Sequence, residues 1–125
     1  MSTGERGSSL VEFLGSALII VLGLLTSAQM AVWIWARGVT VNAAHEGARA
    51  AASLGASTEA AVWQARGVLQ DGLGSSGRRF AVEARRGNGA VRVVVRGEAP
   101  RMLAILPAFP VEGVATVIDE SVVLP

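Results

Sequence analysis

The chain has 125 residues, of which 51% are hydrophobic and 17% are charged. This length supports one small domain. There is no cysteine and a single histidine, so a disulfide framework is excluded and a zinc site is not expected. The net charge is +1, and the basic residues, all arginine, are scattered among the acids. This distribution argues against nucleic acid as a partner.

Residues 1–7 are small, polar and glycine-containing, and they carry no folding signal. We predict that they form a leader peptide or a disordered tip. An uncharged run of 24 residues then extends from Phe13 through Ala36, with Gln29 as its one strongly polar member. A helix of this length is roughly 36 Å long, enough to span a bilayer core. The sequence therefore predicts a transmembrane helix over residues 8–37, beginning near Ser9.

The end of this helix has the features of a membrane interface. Trp33 and Trp35 stand where indole rings favour the headgroup region, and Arg37 marks the exit into water. Residues 38–125 then remain for a small exported domain. A helical pattern of small residues continues into it and would let another backbone approach, from the same domain or from a neighbouring subunit. These residues are Ala43, Gly47, Ala50, Ala51 and Leu54.

A second helix and a β-hairpin are predicted further along the chain. Gly55 is a candidate break, and Ser57 or Thr58 is a candidate N-cap. The helix should end in the glycine cluster at residues 72–77. Its apolar face would consist of Val62, Ala65, Leu69 and Leu73.

After the glycine cluster, apolar residues recur at every second position, which is the period of a β-strand. Residues 80–85 and 91–96 alternate on either side of Asn88-Gly89, a tight-turn signal, and predict a hairpin. Residues 102–106 are expected to form a short helical turn, and residues 114–123 a third strand. The fold class is α+β: a long N-terminal helix, a second helix and a small antiparallel sheet.

Glu12 stands alone among apolar neighbours at the start of the membrane segment. A lone acid near the bilayer is costly unless it has a partner. If the chain were cut between Gly7 and Ser8, the new amine of Ser8 would lie one helical turn from Glu12. The simpler alternative is an acid that favours the helix N-terminus for local reasons.

Residues 4–13, Gly-Glu-Arg-Gly-Ser-Ser-Leu-Val-Glu-Phe, resemble the start of TadE-like pilins. These are minor pilins, or pseudopilins, of the tight-adherence (Tad) branch of type IV pili. The second half of the family signature is similar to residues 41–52, after an apolar run of the expected size. The matching residues of this second half are Asn42, Ala43, Ala44, Glu46, Gly47, Ala48 and Arg49.

The resemblance implies cleavage after Gly7 by a membrane prepilin peptidase, with Ser8 as the first mature residue and Glu12 as the fifth, acting in assembly. It implies a single-pass protein of the bacterial cell membrane, with the leader in the cytoplasm and the C-terminal domain outside. After assembly, the protein could be part of an extracellular filament. Expected partners are the peptidase, other pilin and pilus assembly subunits, and the lipid bilayer.

Other chemistry is not favoured. Ser8 and Ser9 have no nearby base, since the one histidine follows the membrane span, so an enzyme is not expected. His45 with Glu46 suggests a solvated helix face rather than a metal site. No cofactor and no small-molecule substrate are predicted. Four arginines lie near the hairpin. Their charges would keep a solvated edge strand from pairing with other chains, or alternatively they would bind an anionic surface. They are Arg78, Arg79, Arg85 and Arg86.

Two other functions remain open. In a secreted binding module, residues 10–25 would be a signal-peptide core, with cleavage after Ala28. In a bitopic membrane protein that is not part of a filament, the chain would stay uncut.

Overall fold

The computed structural model describes residues 3–53 and 57–118, with side chains described from Arg6 onward. The described residues form two compact units, one that ends at Ala31 and one that begins at Val32. The elements are α1 (Thr3–Ala52), α2 (Thr58–Leu73), a 3-10 helix (Gly74–Arg79), and strands β1 (Ala81–Gly87), β2 (Ala90–Glu98) and β3 (Pro110–Ile118). The predicted α+β class, with a long first helix, a second helix and an antiparallel sheet, is confirmed.

The first unit contains the N-terminal part of α1. This helix begins at Thr3, earlier than the predicted start near Ser9. Glu5 and Arg6 are good helix formers, and they extend the helix into the segment that was expected to precede it. The predicted break at Gly55 lies outside the described residues, and α1 ends at Ala52.

The core of the second unit is made largely of small residues of α1 packed on one face of the sheet. The β2 side chains Val91, Val93 and Val95 are fully buried, as their alternation predicted. On β3, Val111 and Ala115 face the same side as Gly113. A Cβ atom at Gly113 would lie 2.6 Å from the carbonyl oxygen of Thr40. Close approach of strand and helix therefore requires glycine at this position.

Helix α2 begins at the predicted N-cap. The Ser57 hydroxyl accepts a hydrogen bond from the Ala60 backbone N–H at 3.2 Å. Residues Ala61, Ala65 and Leu69 recur every four positions and are buried. Of the predicted apolar face, Ala65 and Leu69 are buried, whereas Val62 and Leu73 are half-buried. The face is rotated slightly toward Ala61.

The three strands form an antiparallel meander in the order β1-β2-β3. The predicted hairpin is confirmed: Gly87 pairs with Ala90, which leaves Asn88 and Gly89 as a two-residue loop. Both loop residues have positive φ, 52° and 76°. Paired positive φ values of this kind suit the type I′ turn, whose twist matches that of the strands.

The third strand begins earlier than predicted, at Pro110 rather than residue 114, and is described to Ile118; residues 119–123 of the prediction lie outside the described residues. Proline and glycine weaken a strand signal, but Pro110 occupies the first position of an edge strand, where no N–H is required. Where a short helical turn is predicted, at residues 102–106, the chain forms a single hydrogen-bonded turn, in which the Leu106 N–H donates to the Leu103 carbonyl at 3.1 Å.

Candidate processing and assembly segment

The apolar part of α1 shows large hydrophobic side chains on its whole surface within the first unit. Ile19, for example, is 72% exposed. Within the described ranges, α1 is the one helix long and apolar enough to cross a membrane, and its most apolar window has a mean hydropathy of 2.1 with none of it buried. A soluble helix does not normally expose such a surface to water. By length and composition, this helix suits single-pass membrane anchoring.

Polar hydroxyl groups inside the apolar segment are satisfied by the helix itself. Thr26 Oγ1 donates to the Leu22 carbonyl, and Ser27 Oγ donates to the Gly23 carbonyl, each at 2.8 Å. Groups that bond internally need no water, which is the condition for placing them in hydrocarbon. These two residues therefore do not conflict with a membrane location.

The predicted processing residues lie on the exposed surface near the start of α1. Gly7, Ser8 and Glu12 are all exposed. A Cβ atom at Gly7 would meet no atom within 4 Å, so the fold of this chain does not explain the glycine. Ser8 and Glu12 are four residues apart in the same helix, a spacing that puts them on one face.

The small residues of the second half of the signature have a different role, because they form the face of α1 that packs in the second unit. Four of them are buried. A Cβ atom at Gly47 would lie 2.9 Å from the Ala61 carbonyl oxygen and 3.4 Å from a Val93 methyl group. The small-residue face is thus occupied by the chain's own α2 and β2. The buried residues are Ala43, Ala44, Gly47 and Ala48.

The polar residues of this half face outward. Asn42 and Arg49 are exposed and Glu46 is half-exposed. The Arg49 guanidinium lies 3.0 Å from the Glu46 carboxylate. A pair this exposed contributes little to stability. His45 is exposed as well, and no group of three or more metal-ligating side chains is found among the described residues.

Both tryptophans at the end of the apolar run belong to the second unit and hydrogen-bond within it, a role that the sequence analysis missed. Trp35 Nε1 donates to the Gly72 carbonyl at 3.1 Å, and Trp33 Nε1 points to the Pro110 carbonyl at 3.4 Å. The Arg37 guanidinium lies 5.8 Å from the centroid of the Trp33 ring. The spacing of these residues alone could not reveal their partners, which lie 37 and 77 residues away.

Comparison with protein families covers this same stretch of α1. The family model described as TadE-like protein matches residues 7–49. We call residues 7–49, which are similar to this family, the TadE-like segment. The resemblance predicted from the sequence is confirmed over these residues. Helix α2 and the sheet lie outside the match.

Searches of curated proteins and of solved structures gave no match. The TadE-like segment thus contains Glu12, the exposed apolar surface and the buried small-residue face. Its N-terminal part exposes bulky apolar side chains, whereas its C-terminal part packs against α2 and β2.

Proposed function

We propose that this protein is a membrane-anchored minor pilin or pseudopilin that takes part in assembly of a tight-adherence pilus. The observation that carries the proposal is the TadE-like match along α1, which includes Gly7, Glu12 and the exposed apolar surface. In this proposal, the chain acts through assembly and carries out no catalysis.

Processing after Gly7 is the first step. A peptidase needs the scissile bond in an extended chain, and the N-terminal turns of α1 must open to present it. Gly4 and Gly7 each lower helix stability by about 1 kcal/mol relative to alanine, which makes this opening easier. The space around Gly7 is open, so packing does not require a glycine there. In this proposal, the peptidase requires it.

Cleavage creates the amine that pairs with Glu12. The Ser8 ammonium of the mature chain and the Glu12 carboxylate carry opposite charges one helical turn apart, or on neighbouring subunits. In a bundle of apolar helices either charge alone is costly, and a paired arrangement reduces that cost. The exposed apolar residues of α1 supply the packing surface, first to lipid and then to other subunits.

The mature N-terminus tests the proposal and separates the alternatives. Intact mass of the membrane-extracted protein should show a chain that begins at Ser8. A chain beginning at Gln29 would support the secreted module, and an uncut chain would support the bitopic protein.

A matched pair of variants makes the test specific to the cleavage site. Gly7→Leu should block cleavage, because a large side chain takes up room that the peptidase needs, and the precursor should accumulate. Gly15→Leu adds the same side chain at another position of α1 with nothing within 4 Å, and should mature normally. Normal maturation of Gly7→Leu would contradict cleavage after Gly7.

A further inference from the structure

One end of the second unit is defined by its contacts with the first turns of α1 within that unit. The Pro110 carbonyl faces Trp33 Nε1, and the Gly72 carbonyl accepts from Trp35 Nε1. The 3-10 helix follows Gly72 in the chain, and residues 99–109 lead into Pro110. We call this end, formed by residues 72–80 and 98–110, the tryptophan end.

The loop at this end exposes bulky apolar side chains. Ile105 is 89% exposed, Met102 48% and Leu103 41%. The loop is nevertheless ordered by its own hydrogen bonds: the Ala99 N–H donates to the Phe109 carbonyl at 2.9 Å, and Arg101 donates to the Leu106 carbonyl at 3.0 Å. Apolar side chains are thus presented outward by a defined turn.

Positive charge surrounds this loop. A cleft of about 710 Å³ beside it is lined by Arg79, Arg96 and Arg101, with Glu98 as the one acid. Arg96 is 3.5 Å from Glu112 and is partly neutralised by it. Arg78 is exposed at the end of the 3-10 helix next to Arg79. The tryptophan end therefore combines exposed apolar side chains with an excess of arginine.

We infer that residues 102–106 insert into the interfacial layer of the bilayer that holds α1, while Arg78 and Arg79 contact the phosphates of anionic phospholipids. The inference rests on the proposed membrane anchoring. Insertion of the loop gives the subunit a second membrane contact, which fixes the orientation of the second unit on the membrane before assembly.

Lipid is favoured over a protein partner by the position of the loop. Pro110, which follows the loop directly, faces Trp33 Nε1, and Trp33 lies three residues before the apolar run ends at Ala36. A bilayer around the end of that run would therefore lie close to the loop. Apolar tips flanked by basic side chains are the pattern of interfacial membrane binding. The hairpin tip, Asn88-Gly89, has no exposed bulky apolar residue and serves as the contrast.

Site-specific labels can measure the insertion, because the natural chain has no cysteine. The full chain would carry a single cysteine as Ile105→Cys, Asn88→Cys or Leu22→Cys, each with an environment-sensitive fluorophore. The three proteins would be placed in nanodiscs of phosphatidylcholine with phosphatidylglycerol, at one subunit per disc. We expect iodide to quench the Ile105 label several-fold less than the Asn88 label.

The Leu22 label distinguishes insertion of the loop from membrane anchoring of α1. A shielded Leu22 label with an Ile105 label as accessible as Asn88 would overturn the loop insertion and leave the membrane anchoring intact. An accessible Leu22 label would overturn both. Shielding of Ile105 that appears only when several subunits share a disc would also overturn the inference, since the loop would then contact protein.

Arginine variants and changes in lipid charge test the contact with phospholipid headgroups. Arg78→Gln with Arg79→Gln should lose the protection of the Ile105 label in discs that contain phosphatidylglycerol. The matched control, Arg85→Gln with Arg92→Gln, removes the same charge from a cross-strand pair on the sheet and should keep that protection. Equal protection of the Ile105 label in both double variants would overturn the headgroup contact. So would a wild-type Ile105 label that is protected in discs of phosphatidylcholine alone as well as it is in discs that contain phosphatidylglycerol.

Discussion

The two units of this protein use apolar residues in opposite ways. In the first unit, bulky side chains such as Leu18, Ile19 and Ile20 are exposed, and none of the apolar residues whose side chains are described there is buried. In the second unit, alanines of α1 are buried completely, and the largest fully buried side chains are Phe80 and Leu69. The bulky apolar residues of the first unit thus face out, whereas in the second unit small residues of α1 and bulky residues of α2 and the sheet face in together.

Helix α1 belongs to both arrangements, so its composition changes along its length. Bulky apolar residues dominate up to Trp35, whereas alanine and glycine dominate from Ala43 onward. Bulky side chains gain from lipid or from neighbouring helices, while alanine and glycine let a strand approach the helix backbone. A substitution should therefore affect location or assembly in the first unit and folding in the second.

Charges in the middle of the apolar segment should have the largest effect. Asp at both Val21 and Leu22 should cost roughly 6 kcal/mol of insertion free energy, at about 3 kcal/mol for each charge. The fraction of protein that resists alkaline extraction should fall sharply. The control, Asn42→Asp with Gln70→Asp, adds two acids at exposed positions of the second unit and should remain in the membrane. Unchanged retention of the Val21 and Leu22 variant would show that this segment is not a membrane span.

A methyl group at Gly113 should have the next largest effect, on folding alone. The added Cβ would meet Thr40 and Val41 backbone atoms at 2.6 to 2.9 Å, and neither can move without displacing α1. We expect Gly113→Ala to lower the free energy of unfolding by about 3 kcal/mol. Gly87→Ala, with open space around it, should change it by less than about 0.5 kcal/mol. Pulse proteolysis of the detergent-solubilised chain would measure both, and equal values would contradict the close contact between β3 and α1.

Much of this fold follows from periodicity in the sequence. The uncharged run predicted a helix, the Ser57 N-cap predicted the start of α2, and Asn88-Gly89 predicted the hairpin, and each of these elements is found. The start of β3 was missed because it depends on contact between distant parts of the chain. Pro110 and Gly113 weaken a strand locally, yet Gly113 is what allows the strand to approach Thr40.

The candidate site was predictable to different degrees in its two halves. Glu12 stands out in the sequence as a lone acid, but the roles of Gly7 and Glu12 are predicted from the family resemblance, since no contact among the described residues explains Gly7. The small residues of the second half were found as a pattern, but a pattern of small residues does not identify its partner. The structure identifies that partner as the chain's own α2 and β2, through the 2.9 Å approach of a Gly47 Cβ to the Ala61 carbonyl.

Removal of the Glu12 charge should affect assembly without affecting folding. Glu12→Gln keeps the shape of the side chain, so cleavage after Gly7 should continue, while the Ser8 amine loses its partner. We expect roughly tenfold lower incorporation into sheared filaments, equivalent to about 1.4 kcal/mol. The ratio of filament protein to mature membrane protein measures this effect.

Glu46→Gln is the matched control, because it removes one acid from the same helix in the second unit. It should assemble normally. Equal incorporation of Glu12→Gln and the wild type would leave Glu12 as an acid that favours the helix N-terminus. Loss of cleavage in Glu12→Gln would instead assign the residue to recognition by the peptidase.

The smallest expected effect is the loss of the N-cap of α2. Ser57→Ala removes the acceptor of the Ala60 N–H and should lower the free energy of unfolding of the second unit by about 1 kcal/mol. Ser57→Asp keeps an acceptor and should remain near the wild-type value. Ser53→Ala is the control for loss of a hydroxyl, because Ser53 donates back to the Arg49 carbonyl from an exposed position. All three variants should remain in the membrane and be cleaved as the wild type is, since α2 belongs to the unit that packs on itself. Altered cleavage or membrane retention in Ser57→Ala would show that the stability of the second unit controls the behaviour of the first.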